Sequence, residues 1–522
     1  MQYRRLRAPR NHGQYLIDPP LSAADTRLAE NQSNAQFDTD LAGTSLPEIA
    51  KKARHDLLHA ARRYTAAYRD VPTGATDQDT PVVMAGHQPS LFHPGVWFKS
   101  FVLDHLAKKL NATAVNLLID NDVLRQAAIR VPTGSVLGPR VETVSYDKPQ
   151  PGVPLEESRL LDPALFASFC DRVCETVRPF SGDPLIEQLW PLAQEAAQRT
   201  NRVHYCLAEA RHCIEHAWGL DTLELPLSEV CQLTAFRRFM SHILANAQQF
   251  RAEHNDALGE YRRVNRVRSK THPVPELGQQ EDWIETPFWT WTSDNPTRRP
   301  LFVRSLGDRS TLSDLRGITL HDVPLNTALS DEAAVAFFAE KEQQGIKIRP
   351  RALMTTMFAR LFLSDLFIHG IGGAKYDQLT DELIRRFFGR SAPNYMVVTA
   401  SAHLPITRDI GSPDELRELR QLAREFRYHP ERHLESTTTT KPLIEAKQKW
   451  IQDNIASPRQ RHDAISRLNN TLAGLLLKKQ TQTAERTEQV IASLARERIL
   501  GSREYSFCLF SQATLQPLLL DI

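Results

Sequence analysis

The chain has 522 residues, more than the roughly 250 to 300 at which one hydrophobic core stops growing, so at least two structural units are expected. Its 64 basic and 62 acidic residues nearly cancel, which excludes a whole-protein field that gathers nucleic acid or an anionic membrane. Hydrophobic residues at 41% and charged residues at 24% are ordinary globular values and exclude wholesale disorder. The composition predicts a folded protein for which neither nucleic acid nor a membrane is the default partner.

The N-terminal region favours a cytoplasmic location. Residues 1–20 include basic side chains but no apolar segment, and no later stretch approaches the ~20 apolar residues that cross a bilayer. The six cysteines form no CxxC pair, which is typical of free thiols in a reducing compartment. Residues 1–44 are polar and lack a regular apolar period, so they predict an N-terminal arm on the surface.

Residues 45–154 have the pattern of an α/β core. Ser45 and Glu48 form a capping-box signature, and apolar residues at helical spacing follow to about Tyr68. The run PVVMAG predicts a buried parallel strand, VWFKSFVLDHLAKKL a helix and ATAVNLLIDND a second strand. Together they make a βαβ unit, whose ligand site is expected beyond the carboxyl ends of its strands.

Residues 155–280 predict a mainly helical insertion, after which the core resumes over residues 281–411. Within the resumed core, the segment KIRPR to RRFFG predicts a helix, a short strand, a glycine turn and a second helix. Aromatic residues before it either wall a pocket or form a core strand; they are Trp283, Phe288, Trp289 and Trp291.

Residues 412–522 are charged and helical, and they open with the capping signature of Ser412 and Glu415. The pattern predicts a helical hairpin or a short antiparallel coiled coil, followed by a return to the core. A homodimer through the coiled coil is the candidate assembly.

The loop GHQPSLFHPG, residues 86–95, carries the main functional signal. A turn from a strand into a helix presents backbone N–H groups and a helix dipole that favour phosphate or carboxylate. The residues assigned to anion or nucleotide contact are Gly86, His87, Gln88, His93, Gly95 and Lys99. In the alternative interpretation the histidines hold the turn, the glycines permit it and the lysine is solvated.

Three further segments are candidates for the same pocket. The acidic segment, residues 120–122, ends the second strand, where carboxylates either bind a ribose, an amine or Mg²⁺ or favour a turn. The glycine turn, residues 370–373, fits neither the dinucleotide nor the P-loop pattern. The two arginines of KIRPR, Arg349 and Arg351, are either anion ligands or surface charges. The additional binding candidates are Asn121, Arg349, Arg351, Gly372, Gly373 and Tyr376. The candidate catalytic residues are His87, His93, Asp120 and Asp122, with histidine as general acid or base.

A separate motif gives a zinc hypothesis. His212, Glu215 and His216 match HxxEH, which on a helix places two imidazoles one turn apart beside a glutamate. No third ligand is evident, and such a match arises easily in a helix rich in His and Glu.

The motifs together resemble those of the bacillithiol biosynthesis cysteine-adding enzymes (BshC), and this chain resembles a remote member of that family. The matching text is GHQPSLFHPGVWFK, LLIDND and IRPRALMTTMF followed by HGIGGAKYDQLTDELIRRFFG, in the same order over roughly residues 80 to 400. His87 and Asn121 stand where the family has glutamine and histidine, His93 and Pro94 change the loop, and Lys375 lies near a family glutamate.

The resemblance implies a Rossmann-like core of the nucleotidyltransferase and class I synthetase type, with a helical insertion and a C-terminal coiled-coil hairpin. It implies a ligase of bacterial thiol biosynthesis that joins cysteine, or a similar amino acid, to a glucosaminyl-malate or carboxylate acceptor. ATP or ADP and Mg²⁺ are the candidate cofactors. The alternatives are a non-catalytic protein that binds a small molecule or nucleotide on the same fold, and the zinc-dependent hydrolase.

Overall fold

The computed structural model describes residues 6–35, 40–41, 44–71, 80–267, 274–306, 309–325, 331–406, 411–452 and 457–522. The chain divides into two compact units. The larger unit contains Met1–Val131, Glu142–His403 and Arg503–Ile522, and the smaller one contains Pro132–Val141 and Leu404–Ser502.

Strands and helices both occur up to residue 400, and the elements in the described residues after it are all helices. The strands are β1 (Tyr15–Asp18), β2 (Asp40–Leu41), β3 (Thr44–Ser45), β4 (Val82–His87), β5 (Thr113–Leu118), β6 (Ala128–Gly134), β7 (Pro139–Ser145), β8 (Leu223–Pro226), β9 (Gln279–Gln280), β10 (Trp283–Thr292), β11 (Asn295–Leu306), β12 (Arg309–Ser313), β13 (Thr319–Val323), β14 (Ile346–Pro350), β15 (Leu366–His369) and β16 (Tyr395–Ala400).

The helices are α1 (Ala24–Ala35), α2 (Leu46–Ala66), α3 (Pro94–Lys109), α4 (Pro163–Ala167), α5 (Phe169–Val177), α6 (Ile186–Arg199), α7 (Val203–Ala217), α8 (Leu227–Val230), α9 (Thr234–Ala245), α10 (Ala247–Val264), α11 (Asp331–Gln343), α12 (Ala352–Phe358), α13 (Ile371–Phe387), α14 (Pro413–Tyr428), α15 (Thr440–Gln452), α16 (Pro458–Gly474), α17 (Leu477–Leu500) and α18 (Gln512–Leu520). Within the described residues, none of them has both the length and the apolar character needed to cross a membrane.

The main sheet of the larger unit has the spatial order β1-β16-β15-β4-β5-β8. The neighbours from β16 to β8 are all parallel, and β1 pairs with β16 antiparallel at one edge. The chain leaves β4 toward β5 on one side and later places β15 on the other side. Open α/β sheets bind ligands at such a reversal of strand order, beyond the carboxyl ends of the strands. The fold is therefore mixed α/β with a mostly parallel sheet.

The predicted βαβ unit forms as β4, α3 and β5. Val82, Val83 and Met84 are fully buried, as expected for a parallel strand covered on both faces. The helix before this unit, α2, begins after Ser45, whose hydroxyl oxygen accepts a hydrogen bond from the Glu48 amide at 3.4 Å.

Three predicted boundaries need correction. The N-terminal arm contributes β1 to the main sheet, and the mainly helical insertion contributes β8, a four-residue strand too short for periodicity to reveal. The resumed core also contains a second, antiparallel sheet of order β13-β12-β11-β10-β14, with β9 paired to β10. The aromatic strands belong to this second sheet.

The smaller unit is mainly helical. Helix α14 packs against α16 and α17, and α15 packs against α16. The hydroxyl of Ser412 caps α14, and that of Ser457 caps α16 in a complete capping box with Gln460.

Candidate functional site

A cavity of about 1160 Å³ lies where four parallel strands of the main sheet end. Its wall includes His87 at the end of β4, Ile119 after β5, His369 at the end of β15 and Thr399 near the end of β16. The cavity thus occupies the point where the strand order reverses, as the topology predicts.

The charged side chains of the cavity wall are mostly basic. They are Arg7, Arg10, Lys99, Arg298, Arg351, Lys375 and Arg503, against Asp122 and Glu504. Arg298 pairs with Asp122 at 2.9 Å, and Arg351 pairs with Glu285 at 2.6 Å. For Arg7, Arg10 and Lys375, no ion-pair partner is found in the described part of the chain. This excess of positive charge favours an anionic ligand.

In the β4–α3 turn, residues 86–95, His93 satisfies the first amides of α3. Nδ1 of His93 accepts a hydrogen bond from the Gly95 amide at 3.1 Å, and its carbonyl oxygen accepts one from the Val96 amide at 3.0 Å. Pro94 has no amide hydrogen to donate. The amides of Gly95 and Val96 are therefore not available to an anion, and the alternative in which a histidine holds the turn describes His93.

Gly95 is required by packing. A Cβ atom at this position would lie 2.8 Å from Nη2 of Arg503 and even closer to the carbonyl oxygen of Ala400. The missing side chain lets the start of α3 approach the end of β16.

The two histidines of this turn are neutral at pH 7. Burial, followed by the nearby Lys99 and His93, holds the pKa of His87 well below its usual value. Burial also lowers the pKa of His93 to about 4, although Glu504 opposes this effect. The prediction of a near-neutral general acid or base at His87 or His93 therefore needs correction, because protonation of either group is unfavourable there.

Lys99 supplies positive charge to the cavity from inside α3. Its Nζ donates a hydrogen bond to the carbonyl oxygen of Gly86 at 2.7 Å, and only 6% of the residue is exposed. Burial, with a contribution from Arg211, lowers its pKa to about 8, so the ammonium form prevails at pH 7.

The acidic segment after β5 splits into two environments. Asp122 lines the cavity, where Gln88 and Arg298 each donate a hydrogen bond to its carboxylate at 2.9 Å. Asn121 also lines the cavity and donates to the carbonyl oxygen of Pro350 at 2.7 Å. These bonds connect the end of β5 to β11 and β14.

Asp120 lies outside the cavity wall and is fully buried. Its carboxylate accepts hydrogen bonds from the Tyr205 hydroxyl at 2.8 Å and from the Ser228 amide at 3.0 Å. The assignment of Asp120 to catalysis therefore needs correction. An extended chain would place residues two apart on the same side, but the chain leaves β5 after Leu118 and turns through residues 120–122, so only one of the two aspartates faces the cavity.

Arg349, within β14, and Arg351, the N-cap residue of α12, also lie in different environments. Arg349 is buried away from the cavity and pairs with Glu156 at 2.9 Å and Glu342 at 2.8 Å. Arg351 lines the cavity, where its guanidinium carbon lies 4.2 Å from the ring centroid of Trp289. Trp289 therefore walls the cavity, as one of the two interpretations of the aromatic strand predicts.

The β15–α13 turn, residues 369–375, leaves polar groups open. The N-cap residue Gly370 supplies no side-chain acceptor, and the described part of the chain offers no acceptor to the amides of Ile371, Gly372 and Gly373. These residues line the cavity together with His369. Tyr376, predicted to close the pocket, lies outside its wall.

Sequence reasoning missed several wall residues, including His369. Nε2 of His369 lies 2.8 Å from Oδ2 of Asp377. The available signal was a histidine at the end of an apolar strand, the same position as His87, with an aspartate eight residues later in the following helix.

The HxxEH motif lies in a buried network of side chains. His212, Glu215 and Glu224 each offer one potential ligand atom, and these three atoms lie within 4.8 Å of one another. His216 is outside this group. Arg211 pairs with Glu215 at 2.6 Å and also with Glu224. Burial lowers the pKa of His212 to about 3. Because the guanidinium of Arg211 already binds both carboxylates, the arrangement favours a structural ion network over a zinc site.

Of the predicted site residues, the wall of the cavity includes Gly86, His87, His93, Gly95, Lys99, Asn121, Asp122, Arg351, Gly372 and Gly373. The predicted residues outside it are Gln88, Asp120, Arg349 and Tyr376. Comparison of the sequence with models of known families finds no match, and a search of curated proteins finds none.

Proposed function

We propose that the chain is a ligase or transferase that joins an amino acid, cysteine or a similar one, to a small anionic acceptor held in the cavity. The acceptor is an amino-sugar malate or another carboxylate. The observation that carries this proposal is the set of basic side chains around a cavity at the strand-order reversal, which complements negative charge.

Arg503 is the basic residue with the clearest vacancy for a ligand. Its Nη2 donates a hydrogen bond to the Thr399 hydroxyl at 3.1 Å. Its Nη1 is buried and has no hydrogen-bond partner in the described part of the chain. A buried donor without an acceptor costs about 1 to 3 kcal/mol, and a carboxylate or phosphate oxygen of the ligand would remove that cost.

The proposal includes a Rossmann-like organisation of the core and a coiled-coil hairpin in the C-terminal helices. The Rossmann-like organisation is supported by the order of the five parallel strands and by the β4–α3–β5 unit. The resemblance of the motif text to the bacillithiol cysteine-adding enzymes supports the choice of cysteine and an amino-sugar malate, with ATP or ADP and Mg²⁺ as candidate cofactors.

A thermal-shift series tests anion binding. The probes are glucosaminyl-malate, malate, inorganic phosphate, cysteine, ATP and ADP, each with and without Mg²⁺. Specific binding to the folded state raises Tm by mass action. The expected result is a rise with an anionic probe that Arg503→Gln diminishes.

Arg309→Gln is the matched control, because it removes the same charge from a side chain that is 81% exposed and lies outside the cavity. A Tm rise that both variants lose equally, or no rise with any probe, would contradict an anion site in the cavity.

Turnover separates the ligase from a binding protein on the same fold. Mass spectrometry of a mixture of protein, cysteine, glucosaminyl-malate, ATP and Mg²⁺ is expected to show a product containing both cysteine and acceptor. Anion binding without any such product, over a panel of amino acids, would favour the non-catalytic alternative.

A further inference from the structure

We propose that His369, positioned by Asp377, is the proton acceptor for the nucleophile of the substrate in the cavity. This inference rests on the proposed function, since it names the residue that would activate the attacking group of that reaction. Neither residue was among the sequence-based candidates.

Asp377 fixes which ring nitrogen of His369 carries the proton. The Asp377 carboxylate is 1% exposed and accepts hydrogen bonds from the Thr356 hydroxyl at 2.6 Å and from Arg360. Although burial acts in the opposite direction, Arg360 and the hydrogen bonds from His369 and Thr356 hold the pKa of Asp377 well below its usual range. An ionised carboxylate only accepts, so in the neutral imidazole Nε2 is the nitrogen that carries the proton and Nδ1 the one with the lone pair.

The ring of His369 is also held by its neighbours. Its centroid lies 4.6 Å from that of Phe367 and 4.9 Å from that of Tyr395, and the latter ring is edge-on. Packing of this kind restricts rotation of the imidazole, and pre-organised orientation is what a catalytic base needs.

Gly373 keeps the space beside Nδ1 open. A Cβ atom at this position would lie 2.8 Å from Nδ1 of His369, so any side chain there would cover the lone pair. Gly373 lines the cavity and is exposed, and no partner for Nδ1 is found in the described part of the chain. The lone pair is therefore reachable by a bound molecule.

The proton transfer balances within the dyad. Nδ1 takes a proton from the ammonium, thiol or hydroxyl group of the substrate, so one N–H, S–H or O–H bond breaks and one Nδ1–H bond forms. The electron pair of the broken bond stays on the nucleophile. The positive charge of the imidazolium faces the carboxylate of Asp377, and the proton later returns to solvent.

The other histidines of the cavity wall suit this role less well. His93 uses Nδ1 to cap α3, and burial lowers the pKa of His254 to about 4. Burial, with Lys99 nearby, likewise holds the pKa of His87 well below its usual value.

Two substitutions at exposed helical glycines give a matched kinetic test. Gly373→Ala crowds Nδ1 of His369 without removing the imidazole, whereas Gly259→Ala in α10 adds a methyl group with no atom within 4 Å of it. Neither glycine has a positive φ, so both changes suit a helix. The expected result is that kcat falls about 10-fold or more in Gly373→Ala and stays within about twofold in Gly259→Ala.

His369→Asn removes the acceptor itself. Loss of a general base costs typically ~10² to 10⁴ in rate, so kcat is expected to fall about 100-fold or more with KM changed only a few-fold. Turnover by His369→Asn at the wild-type rate would overturn the proposal.

A readout independent of turnover covers the case in which the proposed reaction fails. In ¹⁵N-histidine NMR spectra, the resonance lost in His369→Asn identifies His369, and its chemical shifts report the tautomer. Protonated Nε2 with unprotonated Nδ1 is expected, with a larger share of the other tautomer in Asp377→Asn. Protonation at Nδ1 in the wild-type protein would overturn the proposal whatever the substrate is. Absent turnover with the expected tautomer would count against the proposed reaction alone.

Discussion

The two strand-to-helix turns of the cavity have opposite designs. In the β4–α3 turn, His93 caps the helix and accepts the amide hydrogen of Gly95. In the β15–α13 turn, Gly370 offers no side-chain cap, and the adjacent His369 is bound through Nε2 alone in the described part of the chain. In the loop that looks most functional in the sequence, His93 is occupied with capping α3, whereas the plainer glycine turn keeps its first helical amides and the lone pair of His369 open to a ligand.

The two turns differ in which of their polar groups are available to a ligand. A polar group that already has an intramolecular partner must lose it before it binds a ligand, whereas a group without one gains a bond. We therefore expect changes in the first turn to affect mainly stability, and changes in the second turn to affect mainly binding and turnover.

The largest stability effect is expected from Gly95→Ala. The added Cβ would overlap the carbonyl oxygen of Ala400 and approach Nη2 of Arg503 to 2.8 Å, and overpacking of this kind costs about 1 to 3 kcal/mol or more. Urea denaturation monitored by circular dichroism measures this loss. Gly372→Ala in the second turn is the comparison: no atom lies within 4 Å of its Cβ, so the expected change in the free energy of unfolding is near zero or slightly stabilising. Equal destabilisation by both would break the contrast.

Acid is expected to destabilise the first turn. The folded-state pKa of His93, about 4, is below the unfolded value of 6.5, so the unfolded state binds more protons between these pH values. The contribution of His93 to the free energy of unfolding is therefore fully present above pH 6.5 and is lost as the pH falls toward 4. At ~1.4 kcal/mol per pKa unit, the expected loss is about 1 to 3 kcal/mol. Denaturation curves at pH 7 and 5 measure the change. In His93→Asn, which keeps a capping acceptor but does not titrate there, the loss is expected to be smaller.

Anion binding is expected to weaken as the pH rises above about 8. The pKa of Lys99 is lowered to about 8 by burial, so its ammonium group loses its proton there, while a bound anion favours the charged form. Affinity for an anionic probe, measured by calorimetry between pH 7 and 9, should fall up to about 10-fold. Lys99→Met should bind more weakly at pH 7 and show less of this pH dependence; an unchanged pH dependence in the variant would exclude Lys99 as its source.

The smallest effect is expected from giving the second turn the cap that it lacks. Gly370→Ser offers a hydroxyl oxygen to the first amides of α13, and no atom lies within 4 Å of the new Cβ. The gain in stability is a few tenths of a kcal/mol, because glycine is itself a tolerated N-cap. Ligand affinity should fall, since the hydroxyl competes for those amides. Tm and anion affinity measured on the same variant check both signs.

The sequence predicted the position of the site better than the roles of its residues. Buried runs such as Val82 to Ala85 and the helical spacing of α3 located a strand end, and the topology of parallel strands then located the cavity. Residues two apart in a strand point to the same side, so strand periodicity does not predict that Asp122 and Arg351 face the cavity while Asp120 and Arg349 do not. The separation arises where the chain leaves the strand, in the turn after β5 and at the start of α12 after β14.

The missed residues have a physical explanation as well. His369 and Asp377 come together because one ends a strand and the other lies in the next helix, a distance that spacing alone does not give. Arg503 reaches the cavity from the C-terminal end of the chain, over 100 residues beyond its hydrogen-bond partner Thr399 in β16.

The most direct test of this account is a titration of the ¹⁵N-histidine-labelled protein with glucosaminyl-malate, followed by NMR. The resonances of His369 and His93 are identified by their absence from His369→Asn and His93→Asn. The account predicts that the ligand shifts the Nδ1 resonance of His369, which faces the cavity, and leaves that of His93, which accepts the Gly95 amide, nearly unchanged. A shift of His93 with His369 unmoved would contradict it and would place ligand binding on the first turn.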